Sequence, residues 1–415
     1  MSAGRRYNAG LMLLVLLLLP ACHRIPAVSR MDLSYRYQAG PEHVQAIRSV
    51  VYHSSDSSAT VYLRIRQDLV AGRMPSSGTE ALPRLRYHLQ PGYEDARLID
   101  SGSLSLPWPS GEATAAWSTM ELQLPVARGE KALCLLRIDG EPELRHLCLI
   151  DRSRAWSAQD FLLTDPSGQP LFDPIIGSGQ SFRLAVSSPS LARIFADRFQ
   201  PEASVAWPPF AYHREPSQQL KADSSWDIPL DAGVSAILRL DKAGTYLFRA
   251  FRESSGGLSL LRFHESYPVV NRAEQMLPPL QYLTTSREFG LLQAEPEPKL
   301  AVDRFWLEVT GDAGRARLRI REFYSRVEES NHWFTSYKEG WKTDRGIIYI
   351  IYGPPRLVHR TDNTEKWIYG EDGNAHSLRF TFTHHDNPFS PEDYRLIRSP
   401  LYKESWYNAV EAWRR

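Results

Sequence analysis

Six apolar residues in a row, Ile347 to Tyr352, stand between two stop signals, and this is the tightest constraint in the chain. Asp344-Arg345-Gly346 reads as a turn, with Asp as a side-chain acceptor and Gly free to take a positive φ. Gly353-Pro354-Pro355 closes the run, since neither proline can donate to a strand ladder. In a strand, Ile347, Tyr349 and Ile351 face one way and Ile348, Ile350 and Tyr352 the other, so both faces are apolar. Such a strand is central in its sheet and covered on two sides. The expectation is a buried strand over 347–352. Trp341 packs against it, and Asp344 fixes the preceding turn through main-chain hydrogen bonds.

The whole block, EGWKTDRGIIYIIYGPP, carries Gly340, Trp341, Thr343, Asp344, Gly346, Gly353 and Pro354. It resembles the signature of the GWxTD-domain proteins, bacterial envelope proteins found largely in the Bacteroidetes group. YLTTSREF, EKWIYGEDG with Trp367, NPFSPEDYRLIRSPLY and SWYNAVEAWRR extend the resemblance from about Leu280 to the C-terminus. The resemblance implies an envelope location and a domain whose activity is poorly defined.

The N-terminus reads as an address. Arg5 and Arg6 precede the unbroken apolar run Leu11–Leu19. That run falls short of the ~20 residues a membrane-spanning helix needs and fits a secretory signal peptide over residues 1–21. It closes on Leu19-Pro20-Ala21-Cys22, which looks like a bacterial lipobox, so Cys22 is expected to carry the lipid (palmitate-type acylation). His23 rather than Asp follows the Cys, which favours the outer membrane, and no acid-rich run follows, which favours its periplasmic face. Residues 22–30 then form the lipidated Cys and a tether whose flexible reach is only ~16 Å on Gly-rich chain statistics.

Removing residues 1–21 takes two of the 49 Lys and Arg, leaving 47 against 48 Asp and Glu. A near-neutral protein without blocks of like charge lacks the basic stripe that nucleic-acid binding requires. The remaining length fits two or three domains. Cys134 and Cys148 sit in KALCLLRIDGEPELRHLCLI, where two apolar runs flank Asp139–Glu143, a five-residue hairpin loop. Pairing Ile138 with Leu144 sets Cys134 opposite Cys148. A disulfide is expected there, the alternative being two buried thiols packed as small hydrophobes.

The fold class expected is multi-domain and mainly β: two β-sandwich-like domains, 31–152 and 153–275, then a C-terminal α+β domain over 276–415. Strict alternation marks Leu33-Tyr35-Tyr37, Val61-Leu63-Ile65, Leu85-Tyr87-Leu89 and Met120-Leu122-Leu124 as strands. In the second unit Ser181–Val186, Tyr246-Phe248-Ala250 and Gly257–Phe263 repeat the theme. Pro201–Pro216, rich in proline and aromatics, is expected to lie as a loop over this sandwich. From Leu280 the period turns helical, with capping-box spacing at Thr285–Glu288. A helix broken at Gly311–Gly314 follows, then one with the stripe Ala316, Ile320, Phe323, Val327, Phe334. Lys366–Tyr369 and Leu378–Phe382 read as a hairpin, and Ser399-Pro400 as the cap and first residue of a last helix. A strand ending in Gly-Pro before a hairpin containing Trp367-Ile368-Tyr369 is also similar to the small outer-membrane assembly lipoproteins, by analogy alone.

Enzymatic signals are weak. His384-His385-Asp386-Asn387 is the most tempting cluster, yet adjacent His residues on a strand point to opposite faces and cannot share a metal. Nucleophile elbow, phosphate loop and dinucleotide fingerprint are all missing from the sequence. No catalytic residue, metal or cofactor is assigned. The function expected is a non-enzymatic outer-membrane lipoprotein that binds other envelope proteins as an accessory subunit of outer-membrane protein assembly or secretion. Two alternatives stay open: a glycan- or peptidoglycan-binding module, for which 11 Trp and 19 Tyr argue, and a hydrolase of unknown type.

Overall fold

The computed structural model describes residues 26–38, 46–71, 84–106, 117–139, 144–201, 204–212 and 221–415. Cys22 and the signal segment lie outside the described residues. The chain is mainly β, with four antiparallel sheets among the described residues and a helical C-terminal region. It begins with a short 3-10 turn, Val28–Arg30, and one helical turn, α1 (Tyr35–Gln38). Here the alternation of Leu33-Tyr35-Tyr37 misleads. The three residues do not form a strand, and Leu33 and Tyr37 are buried in the core of the C-terminal unit 300 residues away in sequence. The main chain is bound there too: Leu33 N–H donates to the Val358 carbonyl at 2.8 Å, and Val358 N–H donates to Asp32 at 3.0 Å. The expected tether therefore ends early, since Val28 is fully buried.

The first β unit begins at β1 (Ile47–Tyr52) and β2 (Ala59–Arg66), followed by a helical turn α2 (Gln67–Ala71). Then come β3 (Arg84–Gln90), β4 (Asp100–Ser105), β5 (Trp117–Leu124), β6 (Lys131–Ile138) and β7 (Leu144–Asp151). Sheet β1-β2-β5 packs on sheet β4-β3-β6-β7 around Val61, Leu63, Leu85, Leu89, Leu122 and Leu136. This is a sandwich, and its inward residues are those the alternation selects. Ile138 pairs with Leu144 and Cys134 with Cys148, in the expected register. The two cysteines are free thiols, however, buried as small hydrophobes in the core, and no bridge joins them. Burial raises the pKa of both.

The second unit comprises β8 (Phe161–Thr164), β9 (Ser181–Val186), β10 (Arg193–Phe199), β11 (Ser224–Asp231), β12 (Val234–Ser235), β13 (Leu238–Arg239), β14 (Gly244–Arg249) and β15 (Leu258–Arg262). These strands form one hydrogen-bonded path rather than two separate sheets, because β9 pairs with β8 as well as with β12 and β13. Phe161, Phe182, Ile194 and Phe248 fill its core. The segment 204–212, expected over this unit, instead crosses the C-terminal one. Ala206 N–H donates to the Lys342 carbonyl at 2.9 Å, and Phe210 packs on Tyr407.

The C-terminal unit follows α3 (Ala273–Met276) with α4 (Ser286–Gln293), α5 (Pro298–Thr310), α6 (Ala313–Phe334) and α7 (Asp344–Tyr352). The capping box closes at Thr285 and Glu288, and Gly311 ends α5 in the left-handed conformation. The run 347–352 is thus a helix, not a strand. It is buried on every side among Phe334, Val358, Trp367 and Trp413, and a helix apolar all round has the same local composition as a central strand. The sheet beside it is β16 (Leu357–Arg360), β17 (Thr364–Tyr369), β18 (Leu378–His384) and β19 (Tyr394–Leu396). The last helix, α8 (Tyr402–Trp413), starts two residues beyond the expected Pro400 and buries Trp406 and Trp413.

Because Leu33 has no exposed surface to speak of and belongs to the C-terminal core, Leu33→Ala is expected to destabilise that unit by ~2–5 kcal/mol. A thermal melt followed by tryptophan fluorescence, to which Trp341, Trp367 and Trp406 contribute, reads the loss. An unchanged melt would place residues 26–38 outside the cooperative unit.

Candidate functional site

The signature residues assemble the start of α7. Thr343 is the N-cap: its Oγ1 accepts from Gly346 N–H at 3.0 Å and donates to the Gly340 carbonyl at 2.7 Å. A Cβ on Gly340 would stand 1.9 Å from the Ser330 carbonyl oxygen, and one on Gly346 2.0 Å from the Gly340 carbonyl oxygen. Both glycines are therefore set by close backbone approach. Trp341 is buried; its N–H donates to Asn331 Oδ1 at 3.2 Å and its indole N–H to Glu339 at 3.1 Å. Gly353, at φ 81°, ends α7 and Pro354 follows, so the Gly-Pro signal stops a helix.

Asp344 opens α7, where a carboxylate is favoured by the helix dipole. Its main-chain bond runs to a distant strand rather than to its own turn: Leu396 N–H in β19 donates to Oδ2 at 2.7 Å. Arg398 completes a two-point ion pair with it. The cavity beside this carboxylate holds about 20 Å³, room for about one water.

Behind α7 lies a buried ion network that the sequence gives no hint of. Arg345, 1% exposed, reaches Glu392 at 2.9 Å and Glu365 at 3.5 Å. Arg360 reaches Glu392 at 3.3 Å and the fully buried Glu365 at 3.6 Å. Glu365 Oε1 also accepts from the indole of Trp367 at 2.7 Å and from the hydroxyl of Tyr37 at 3.1 Å. The Tyr394 ring lies between the two guanidiniums, 4.5 Å from one and 4.9 Å from the other. Burial alone would raise the Glu392 pKa, but Arg360, Arg345 and Arg36 hold it well below the ordinary carboxylate range.

This network faces a cavity of about 2070 Å³ at the junction of the three units. One wall is Ser49 of β1 and His146 of β7; a second is Leu247 and Leu258 of β14 and β15; a third is Trp333 of α6, Arg360, Glu392 and Tyr394. His146 Nε2 lies 2.8 Å from Ser49 Oγ across the two sheets of the sandwich, and burial, aided by Arg36, keeps its pKa low. None of Gly340, Trp341, Thr343, Asp344, Gly346, Gly353, Pro354 and Trp367 lines the cavity. His384, Asp386 and Asn387 do, at the end of β18 and beyond. Their side chains make local contacts: His384 Nε2 is 3.1 Å from the Pro391 carbonyl, Asn387 bonds Asp393, and Asp386 pairs with Arg154 of the inter-unit segment. Among the described residues no group of three or more His, Cys, Asp and Glu is placed to hold a metal ion.

Residues 244–415 match the family model of the GWxTD domain. The chain carries a GWxTD domain. The match begins at β14, so the last two strands of the second β unit belong to the GWxTD domain as matched, well before Leu280 where the sequence resemblance was placed. No curated protein matches the chain. Among solved structures, the chain is similar to one from the "Crystal structure of Dpr2 Ig1-Ig2 in complex with DIP-Theta Ig1-Ig3", at 12% identity over 52% of this chain and 93% of that chain. The TM-score is 0.16, an overlap too slight to bear on the fold.

Two outcomes follow from this geometry. Glu392 is more acidic folded than unfolded, so its stabilisation is complete above the ordinary value of about 4.5 and is lost as pH falls from there toward the folded value. The GWxTD domain is expected to melt progressively lower below about pH 4.5, and Glu392→Gln to flatten that slope; an unchanged slope would exclude Glu392 as its source. Asp344→Asn keeps an acceptor for Leu396 N–H but leaves Arg398 without its charge partner. It is expected to cost ~1–3 kcal/mol, read by chemical denaturation, and a loss below ~0.5 kcal/mol would contradict the pairing.

Proposed function

We propose that this protein is a lipid-anchored, non-enzymatic binding scaffold of the bacterial cell envelope, whose junctional cavity receives an extended segment of a partner protein. The service it fits is outer-membrane protein assembly or secretion, with the anchor on the periplasmic face. The observation that carries this reading is the cavity itself. At about 2070 Å³ it is twice the upper end of the ~300–1,000 Å³ typical of small-molecule sites, and three separate units supply its walls.

Other features support the same reading. The GWxTD signature residues all have structural work, and Asp344, the one carboxylate among them, is held by Arg398 and Leu396 with no room for a substrate. Trp306, Trp341, Trp367, Trp406 and Trp413 are buried in the core and closed to a stacked glycan, while Trp207 and Trp226 are exposed. If Cys22 bears lipid, the six residues from it to the buried Val28 span at most ~20 Å. The folded body then stays close to its membrane, where such a partner emerges.

The test is site-specific photo-crosslinking in the native host, with the crosslinker at Leu258 or Asn363 in the cavity and at exposed Leu401 as the outside control. Discrete protein adducts from the cavity positions, absent from Leu401, are expected. Adducts from Leu401 alone would move the partner surface elsewhere. In the same strain Cys22→Ala is expected to abolish fatty-acid labelling and outer-membrane fractionation; label retained by that variant would refute the anchor.

A further inference from the structure

The cations around the cavity are mostly neutralised in place. Lys131 pairs with Asp151 at 2.9 Å, Arg154 with Asp386 at 3.0 Å and Arg360 with Glu392 at 3.3 Å. Arg36, on α1, is different. It lines the cavity, yet among the described residues it has no ion-pair partner. Arg36 lies near the network in which Arg345 and Arg360 pair with Glu365 and Glu392. Burial and the charge of Arg360 work against the Arg36 cation, Tyr37, Glu392 and Tyr93 favour it, and the balance raises its pKa.

A second observation lies one residue away. The hydroxyl of Tyr35 is buried, lines the same cavity and has no hydrogen-bond partner among the described residues. Buried hydroxyls are rarely left so. Tyr35 and Arg36 are consecutive residues of one helical turn and line one cavity, the first with a hydroxyl that has no hydrogen-bond partner and the second without an ion pair among the described residues. A single carboxylate would satisfy both: its two oxygens accept the planar N–H pair of Arg and the phenolic O–H together.

We propose that Arg36 and Tyr35 form a carboxylate subsite in the cavity wall, which holds an acidic side chain or the C-terminal carboxylate of the bound partner segment. The proposal rests on the reading of the cavity as a site for polypeptide, and names the group on that polypeptide that is recognised. Residues 26–38 thereby do two things: they complete the core of the GWxTD domain through Leu33 and Tyr37, and they present Tyr35 and Arg36 to the ligand.

The test uses the mature full-length protein in mild detergent and small probes at fixed ionic strength: N-acetylglycine, its neutral amide N-acetylglycinamide, and inorganic phosphate. N-acetylglycine at ten times its Kd is expected to raise the melting temperature by about 2–4 °C, and the amide to leave it unmoved. Arg36→Gln should abolish the shift, and Tyr35→Phe should weaken binding several-fold. A shift from phosphate but not from N-acetylglycine would overturn the carboxylate assignment. An equal shift in wild type and Arg36→Gln, or none in either, would overturn the subsite. These probes need no partner protein, so their failure leaves the crosslinking result to judge the cavity on its own.

Discussion

The fold of the GWxTD domain turns on the enclosure of Glu365. This carboxylate is fully buried, and four groups from four parts of the chain converge on it: Tyr37, Arg345, Arg360 and Trp367. Isolated, a buried carboxylate would be prohibitively costly. Two guanidiniums, a phenol and an indole N–H make it tolerable, and so tie the N-terminal segment, α7, β16 and β17 into one arrangement. Networks of this kind often add less stability than well-packed apolar side chains would, and their best-attested use is to specify one geometry over its rivals. Here the geometry specified is the docking of residues 26–38 onto a domain that begins more than 200 residues later.

That docking gives the three units a shared interior. The chain enters at the GWxTD domain, builds the sandwich, then the second β unit, and returns to close the domain it started from. The Arg154–Asp386 pair and the 204–212 segment add further ties between the β units and the C-terminal unit. A cavity walled by all three units is the consequence, and its size and chemistry depend on their mutual placement rather than on any one of them.

Local pattern made much of this legible. Alternation marks β2, β3 and β5, and the two apolar runs around the hairpin at Ile138 and Leu144 set the register of Cys134 and Cys148 to the residue. The capping box at Thr285 and the break at Gly311 were equally local. The helix over 344–352 has the apolar pattern of a strand, although helix signals flank it: Thr343 as cap, Asp344 in the first turn, Gly353 and Pro354 after the last. Apolar residues on all faces erased the period that separates helix from strand. Leu33-Tyr35-Tyr37 failed for the opposite reason, since a period of two over so short a stretch is satisfied by a single buried turn. The cavity was invisible from sequence because Tyr35, His146, Leu258, Trp333 and Tyr394 converge only in three dimensions. Motif reasoning pointed to residues that build the scaffold, while the residues facing the cavity carry no motif.

We propose that the junctional cavity is where this protein engages its partner. The most direct measurement is a cryo-electron microscopy map of the native protein, purified with its associates from mild-detergent membranes. The account predicts continuous polypeptide density from a second protein inside the cavity, in contact with the walls at Leu258 and Tyr394. A partner bound to an outer surface, with the cavity filled only by solvent, would contradict it.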